Sequence, residues 1–531
     1  MSMSTRNKMR IAVVVVAAGW FGWSWWHGRH RAATADTTTA SAPAAATPVA
    51  VAKPLPPDTP RSWKVGSLTL HSCELGRPGS GATVAGWCTT FVVPENRADP
   101  HSRKIGLKLA LIRSEASKPD KDMAVLLAGG PGEAATASWS MVAPAFQGVL
   151  KHHDVLLLDQ RGTGGSHPLS CDAAEQNNDN VSVGGLDLNQ LRTQTQACLA
   201  EVSKRADPRY YTTTIAVQDL EDVRKALGSP SFDLVGVSYG TRVAQQYLMH
   251  YPDAVRSVVL DSPVPNQVVL GEDFAENLNR ALKLDFAQCA ATPACKKRFG
   301  DPMQTLYQLR DALRANPHTV TFRDPLSWDM VTRPLNQYAL ASVVRMFAYT
   351  SETAALLPLS IDAAAHGDVG PLLGQARLLN GDLSGDMNNG MSMSVICSED
   401  ADLLKPRPQD ANTILGNHLI DAIQTECSVW PHGSRPADFH APLKSSKPIL
   451  ILSGQFDPVT PPSYGKTILA GLSDARQLIF KGQGHSELMR GCMPRLLTRF
   501  IDKPDPAQLD AHCLDRLGPT PAFINFNGAT P

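Results

Sequence analysis

Residues 232–251 read FDLVGVSYGTRVAQQYLMHY, and no other stretch of this chain so narrows what it can fold into. The apolar run 232–235 reads as a buried strand, and 241–250 reads as a helix with Val243, Ala244, Tyr247 and Leu248 on one face. Between them stands Gly236-Val237-Ser238-Tyr239-Gly240. A G-x-S-x-G turn between strand and helix is a nucleophile elbow, in which the glycines remove side chains that would collide and leave Ser238 Oγ exposed at the helix start. Unpaired amides at a helix N-terminus also favour negative charge forming there. A glycine-rich turn with an incidental serine is the alternative, and the flanking strand and helix weigh against it.

With 531 residues the chain is too long for one compact core, so a large domain with an insertion, or two domains and a tail, is expected. Its 50 basic and 50 acidic residues leave no electrostatic footprint for nucleic acid and point to a small or neutral partner. No C-x-x-C occurs, so zinc ribbons and thioredoxin-type motifs have no support. The ten cysteines fall in consecutive pairs at short separations. Five local bridges are expected, Cys73 with Cys88, Cys171 with Cys198, Cys289 with Cys295, Cys397 with Cys427 and Cys492 with Cys513, which implies an oxidising compartment.

Arg6, Lys8 and Arg10 precede an uncharged apolar run at 11–26, and Arg29 and Arg31 follow it, so residues 1–31 read as an export signal or membrane anchor. The run is short for a spanning helix, its tryptophans suit an interface, and Ala33-Thr34-Ala35 offers a cleavage site; cleavage and anchoring both stay open. Residues 32–60, rich in Ala, Thr and Pro, read as a disordered tether. Strand-like runs follow at 87–93, 105–112, 123–127 and 154–158, then a helix at 217–227 before the elbow and a strand at 256–260 after it. Such alternation indicates a mostly parallel α/β sheet. From 266 to 440 the pattern turns helical, at 274–289 and 303–315 for example, and strand logic resumes at 448–452 and 476–480, with a last helix over 487–500 broken near Pro494. The core is therefore expected in two parts, 61–265 and 441–531, with a helical cap between them.

A serine hydroxyl needs a base within hydrogen-bond reach, itself oriented by a third group. Asp457 follows the resumed strand in SGQFDPVTPP, and His485 follows the next one in KGQGH, both at strand ends where parallel sheets bind ligands. Ser238 is thus the candidate nucleophile, His485 the base and Asp457 the acid that fixes the imidazole tautomer. Asp261 ends a strand too and is the competing acid, read as a structural turn residue; His250 and His432 are weaker rivals for the base. As isolated loop residues, Asp457 and His485 would be ordinary turn chemistry. Oxyanion donors are expected from the amide of Tyr239, after the nucleophile, and from Ala128-Gly129-Gly130-Pro131-Gly132, with Gly130 the preferred donor.

Ala128 to Gly132, the Asp159-Gln160-Arg161-Gly162-Thr163-Gly164 run, the elbow with Thr241, and Asp457-Pro458-Val459-Thr460-Pro461-Pro462 together resemble the α/β-hydrolase peptidases of the proline iminopeptidase and tripeptidyl aminopeptidase group. The likeness covers roughly residues 65 to 520, including a C-terminal segment typical of the secreted tripeptidyl branch. It implies an α/β-hydrolase fold with a helical cap, and release of short N-terminal units from peptides through an acyl-enzyme, with no metal or organic cofactor. Better-known iminopeptidases begin the oxyanion motif with His where this chain has Ala128, so proline specificity does not follow.

An exopeptidase must tell a free α-ammonium from mid-chain backbone, and a desolvated carboxylate does so by charge pairing. Glu399, beside Cys397, resembles the family's amine-binding position, with Asp400 as alternate; two acids on a solvated loop or capping a helix is the plain reading. Asp159 and Arg161 read as structural. The expectation is an exported serine aminopeptidase whose partner is a peptide with a free N-terminus. An esterase or amidase with the same triad is the rival, and a noncatalytic cell-surface binding module on a hydrolase scaffold the more distant one.

Overall fold

The computed structural model describes residues 62–77, 83–171, 187–383 and 387–530; the expected leader (1–31) and tether (32–60) lie outside them. The strands are β1 Ser62–Val65, β2 Leu68–Leu75, β3 Val84–Pro94, β4 Lys104–Ile112, β5 Met123–Leu127, β6 Val155–Leu158, β7 Phe232–Val237, β8 Val255–Asp261, β9 His318–Arg323, β10 Met330–Leu335, β11 Ile449–Gly454 and β12 Ala475–Phe480. Ten of them form one sheet in the order β1-β2-β3-β4-β6-β5-β7-β8-β11-β12. Pairing is antiparallel from β1 through β4 and from β4 to β6, and parallel from β6 to β12.

The central strands β5, β6 and β11 are buried along their whole length, the pattern of parallel strands covered on both faces. Successive residues feed opposite layers: Leu234, Ile449 and Ile451 join the cluster that holds Tyr247 of the elbow helix, while Val235, Leu450 and Leu452 join the one that holds Trp139, Phe146 and Phe500. The C-terminal helix Met493–Asp502 closes the second layer with Met493, Leu496, Leu497, Phe500 and Ile501, one apolar stripe at helical spacing. Pro494 does not break this helix. It sits in the first turn, where its missing N–H has no partner to lose, so the helix begins at Met493 rather than near 487.

The segment between β8 and β11 is the insertion. Helices Phe274–Ala291, Pro302–Ala315, Gln337–Phe347 and Leu357–Ala365 build an apolar cluster of their own around Leu282, Leu306, Leu340, Val344 and Ile361. It is not wholly helical: β9 and β10 form an antiparallel hairpin inside it. The last stretch, with helices Asn389–Glu399 and His418–Cys427, packs through Met391, Val395, Ile420 and Trp430 into the cluster of the main sheet.

Among the described residues every cysteine is paired, and the partners are the consecutive ones: 73–88, 171–198, 289–295, 397–427 and 492–513. Among the same residues no helix is long and apolar enough to cross a membrane.

Candidate active site

Ser238 stands between β7 and the helix Tyr239–His250 with φ 54° and ψ −122°, a left-handed backbone that a serine adopts only where its surroundings impose it. Two close approaches impose it here. A β-carbon on Gly236 would lie 2.5 Å from the Gly240 carbonyl oxygen, and one on Gly240 would lie 2.1 Å from the Leu127 carbonyl oxygen, so only glycine lets the helix start this near β5 and β7. The elbow is pinned further by Ser238 N–H donating to Asp261 O at 2.9 Å and by Thr241, whose amide and hydroxyl both donate to Ser238 O. Ser238 itself is half-buried, and among the described residues its hydroxyl forms no hydrogen bond, while the side-chain hydrogen bonds of His485 go through Nδ1 to Asp457 and Thr460 and leave Nε2 unengaged.

Asp457, in the loop after β11, is fully buried. Its Oδ1 accepts the amides of Val459 and Thr460, both at 2.8 Å; its Oδ2 accepts the Thr460 hydroxyl and the Nδ1–H of His485, both at 2.8 Å. Arg280, from the insertion, donates to the carbonyl oxygens of Asp457 and Gln455 and ties the cap to this loop. His485, after β12, is held by its amide donating to Tyr349 O at 2.6 Å and by the edge of the Tyr349 ring at 5.3 Å. Burial opposes a charge on this imidazole, but the charge and hydrogen bond of Asp457, with Asp261 and Glu133 nearby, outweigh it and raise the His485 pKa above its ordinary value.

The rival acid has another task. Asp261, buried at the end of β8, accepts the amides of Glu487 and Leu488 and the hydroxyl of Ser486, so it grips the turn that follows His485 without touching the ring. Burial pushes its pKa up to about 6. Of the other histidines, His250 is exposed at the far end of the elbow helix and His432 hydrogen-bonds Cys427 O. Arg161 forks onto Asp219, and Asp159 takes donors from Thr136 and Gly165, both as buried braces of the loop after β6.

The glycine loop packs on the elbow: a β-carbon on Gly129 would lie 3.4 Å from Ser238 Cβ. The amides of Gly130 and Tyr239 donate no hydrogen bond among the described residues, so both are available to an anion. The insertion roofs this loop, with Asn388 donating to Gly132 O and Ser392 to Pro131 O.

Glu399 and Asp400 do not reach this space. Both are 0% exposed. Glu399 accepts the Thr213 amide at 2.6 Å and the Thr213 hydroxyl at 2.9 Å, and that hydroxyl shares a 2.6 Å hydrogen bond with Tyr239 Oη; burial first, with Asp400 adding, pushes the carboxyl up to about 8. Asp400 is paired with buried Arg242 at 2.7 Å. Glu399, the last residue of the helix Asn389–Glu399, thus meets the helix that begins at Thr213, and Asp400, which caps it, meets the elbow helix through Arg242. What sequence reasoning missed is Glu133, the residue after the glycine loop, whose Oε2 accepts the Gly129 amide at 3.0 Å. Its signal was in plain view, a carboxylate one step past an oxyanion motif.

A mostly parallel sheet carrying a strained serine elbow, with an acid and a histidine at the ends of two later strands, defines a hydrolase of the α/β class. The chain belongs to the alpha/beta hydrolase fold family, which matches residues 125–491. It is similar to serine protease Hip1 of Mycobacterium tuberculosis (strain H37Rv), 24% identical over 464 residues that span 81% of this chain and 87% of that protein. It is also similar to a tripeptidyl aminopeptidase of Streptomyces coelicolor, 28% identical over 188 residues, 33% of this chain and 35% of the relative. Among solved structures, proline iminopeptidase of Mycobacterium smegmatis aligns with 78% of this chain and 99% of its own length, at 14% identity and a TM-score of 0.33.

Proposed function

We propose that this protein is an exported serine aminopeptidase that releases short units, from one to three residues, from peptide N-termini through an acyl-enzyme. The observation that carries the reading is the 2.8 Å hydrogen bond from His485 Nδ1 to buried Asp457 Oδ2, on the same rim as the strained Ser238. In this scheme Ser238 Oγ attacks the scissile carbonyl while His485 Nε2 takes the hydroxyl proton, and Asp457 holds the tautomer and balances the imidazolium. The tetrahedral oxyanion is received by the Tyr239 and Gly130 amides. Collapse passes the proton from His485 to the leaving amine, and the shortened peptide departs. Water, deprotonated by the same imidazole, then hydrolyses the ester.

Three features favour a peptidase: the names of the two relatives, the roof of the insertion over the glycine loop, and the half-buried carboxylate at Glu133. Export is supported by the five disulfides together with the apolar run at 11–26 flanked by basic residues. The rival is an esterase or amidase using the same three groups. Mass spectrometry of products from a mixed peptide pool decides between them: products shortened only at the N-terminus are expected. Internal cleavage, or an intact pool beside rapid hydrolysis of simple esters, would overturn the aminopeptidase reading.

A further inference from the structure

We propose that Glu133 receives the free α-ammonium of the substrate and confines cleavage to the first peptide bond. Resting on the acyl-enzyme reading above, this assigns the group that selects an N-terminus and the number of residues released. Selection of that kind needs a carboxylate shielded from water yet open to the cleft. Glu399 and Asp400 are sealed and engaged, whereas Glu133 is half-buried beside the nucleophile.

The distance fits one residue. A β-carbon built on Gly129 would lie 3.1 Å from Glu133 Oε2 and 3.4 Å from Ser238 Cβ, which puts the carboxylate oxygen no more than about 6.5 Å, the total of the two, from the serine β-carbon. In an acyl-enzyme the α-nitrogen of a single residue is four bonds from that carbon, about 4 to 5 Å, and a charge-assisted N–H···O bond adds about 2.8 Å. Each further residue carries the ammonium about 3.3 to 3.6 Å outward, so the terminus of an extended tripeptide lies about 7 Å beyond reach.

The carboxylate is also short of a cation. Among the described residues Glu133 forms no ion pair, and Oε1 accepts no hydrogen bond; Oε2 alone is engaged, by Gly129 N–H. Burial raises its pKa, and that hydrogen bond with the more distant charges of His485 and Arg77 offsets this only in part. An anion so close to the oxyanion site opposes formation of the tetrahedral intermediate. A bound ammonium cancels it, so a free amine accelerates the chemical step as well as anchoring the substrate.

Glu133→Gln tests this, since an amide oxygen still accepts from Gly129. The readout is the ratio of kcat/KM for an aminoacyl fluorogenic amide to that for its desamino counterpart, with fluorophosphonate labelling of both proteins run alongside. Wild type is expected to favour the free amine by roughly 10- to 100-fold, and the variant to bring the ratio near one. An unchanged ratio in a variant that still labels overturns the role of Glu133 alone, whereas absence of labelling in wild type overturns the acyl-enzyme reading beneath it. A second measurement needs no variant: wild type should hydrolyse aminoacyl amides faster than dipeptidyl and tripeptidyl ones, and a tripeptidyl preference overturns the proposal.

Discussion

Asp457→Asn separates the two acids that the strand pattern left in competition. Oδ1 of Asp457 accepts two backbone amides at 2.8 Å, so an asparagine that keeps them must turn its NH2 toward His485 Nδ1. That selects the tautomer with the proton on Nε2, which cannot accept the Ser238 proton. Flipping the amide restores the tautomer but sets the NH2 against two buried N–H groups. Either way the buried counter-charge of the imidazolium is gone, and a loss of about 10³ to 10⁴ in kcat is expected. This equals about 4 to 5.5 kcal/mol in the barrier. Asp261→Asn removes charge from the grip on residues 486–488 without touching the ring, and should cost about 1 to 3 kcal/mol of stability, with kcat lowered less than about tenfold. The assay is kcat on an aminoacyl fluorogenic amide beside thermal unfolding of each variant. If Asp261→Asn abolished turnover while Asp457→Asn stayed within tenfold of wild type, the assignment of the acid would be refuted.

Three further outcomes follow from the same geometry. The base must be neutral to accept a proton, and the raised pKa of His485 keeps it charged to a higher pH, so the acid limb of kcat/KM should have its midpoint above the ordinary imidazole value; a midpoint below it would contradict the pairing with Asp457. Gly240→Ala places a methyl 2.1 Å from the Leu127 carbonyl oxygen, which is backbone and cannot yield, so a loss of at least about 2 kcal/mol is expected in denaturant titration, with labelling of Ser238 slowed. Glu399→Gln retains an acceptor for Thr213 and should keep most of its rate on free-amine substrates, whereas Glu399→Ala strands a buried amide and should lose about 1 to 3 kcal/mol in thermal unfolding.

The parallel half of the sheet was legible because its strands are continuous apolar runs ended by turn chemistry, and the elbow because glycine spacing and helical periodicity meet at one serine. The residues at 457 and 485 were legible through their place after successive strands. The hairpin β9–β10 was not, since its exposed, polar faces look in sequence like any break between helices. Nor were β1 and β2, whose apolar residues are sparse and whose pairing is a matter of register with β3. Pro494 misled because proline disfavours a helix interior but suits its first turn, and the sequence does not say which turn it occupies. For Glu399 the likeness supplied a role, but burial against Thr213 is a tertiary fact that no local pattern carries. Glu133 is the converse: its place one step past the glycine loop can be read in the chain, but its closeness to Ser238 comes only with folding.

The most direct measurement is mass spectrometry of the protein after treatment with a fluorophosphonate. One adduct on the peptide that contains Ser238, absent in Ser238→Ala and strongly slowed in His485→Ala, is the result this geometry demands. No adduct on the folded protein, or an adduct on a different serine that persists in Ser238→Ala, would contradict it.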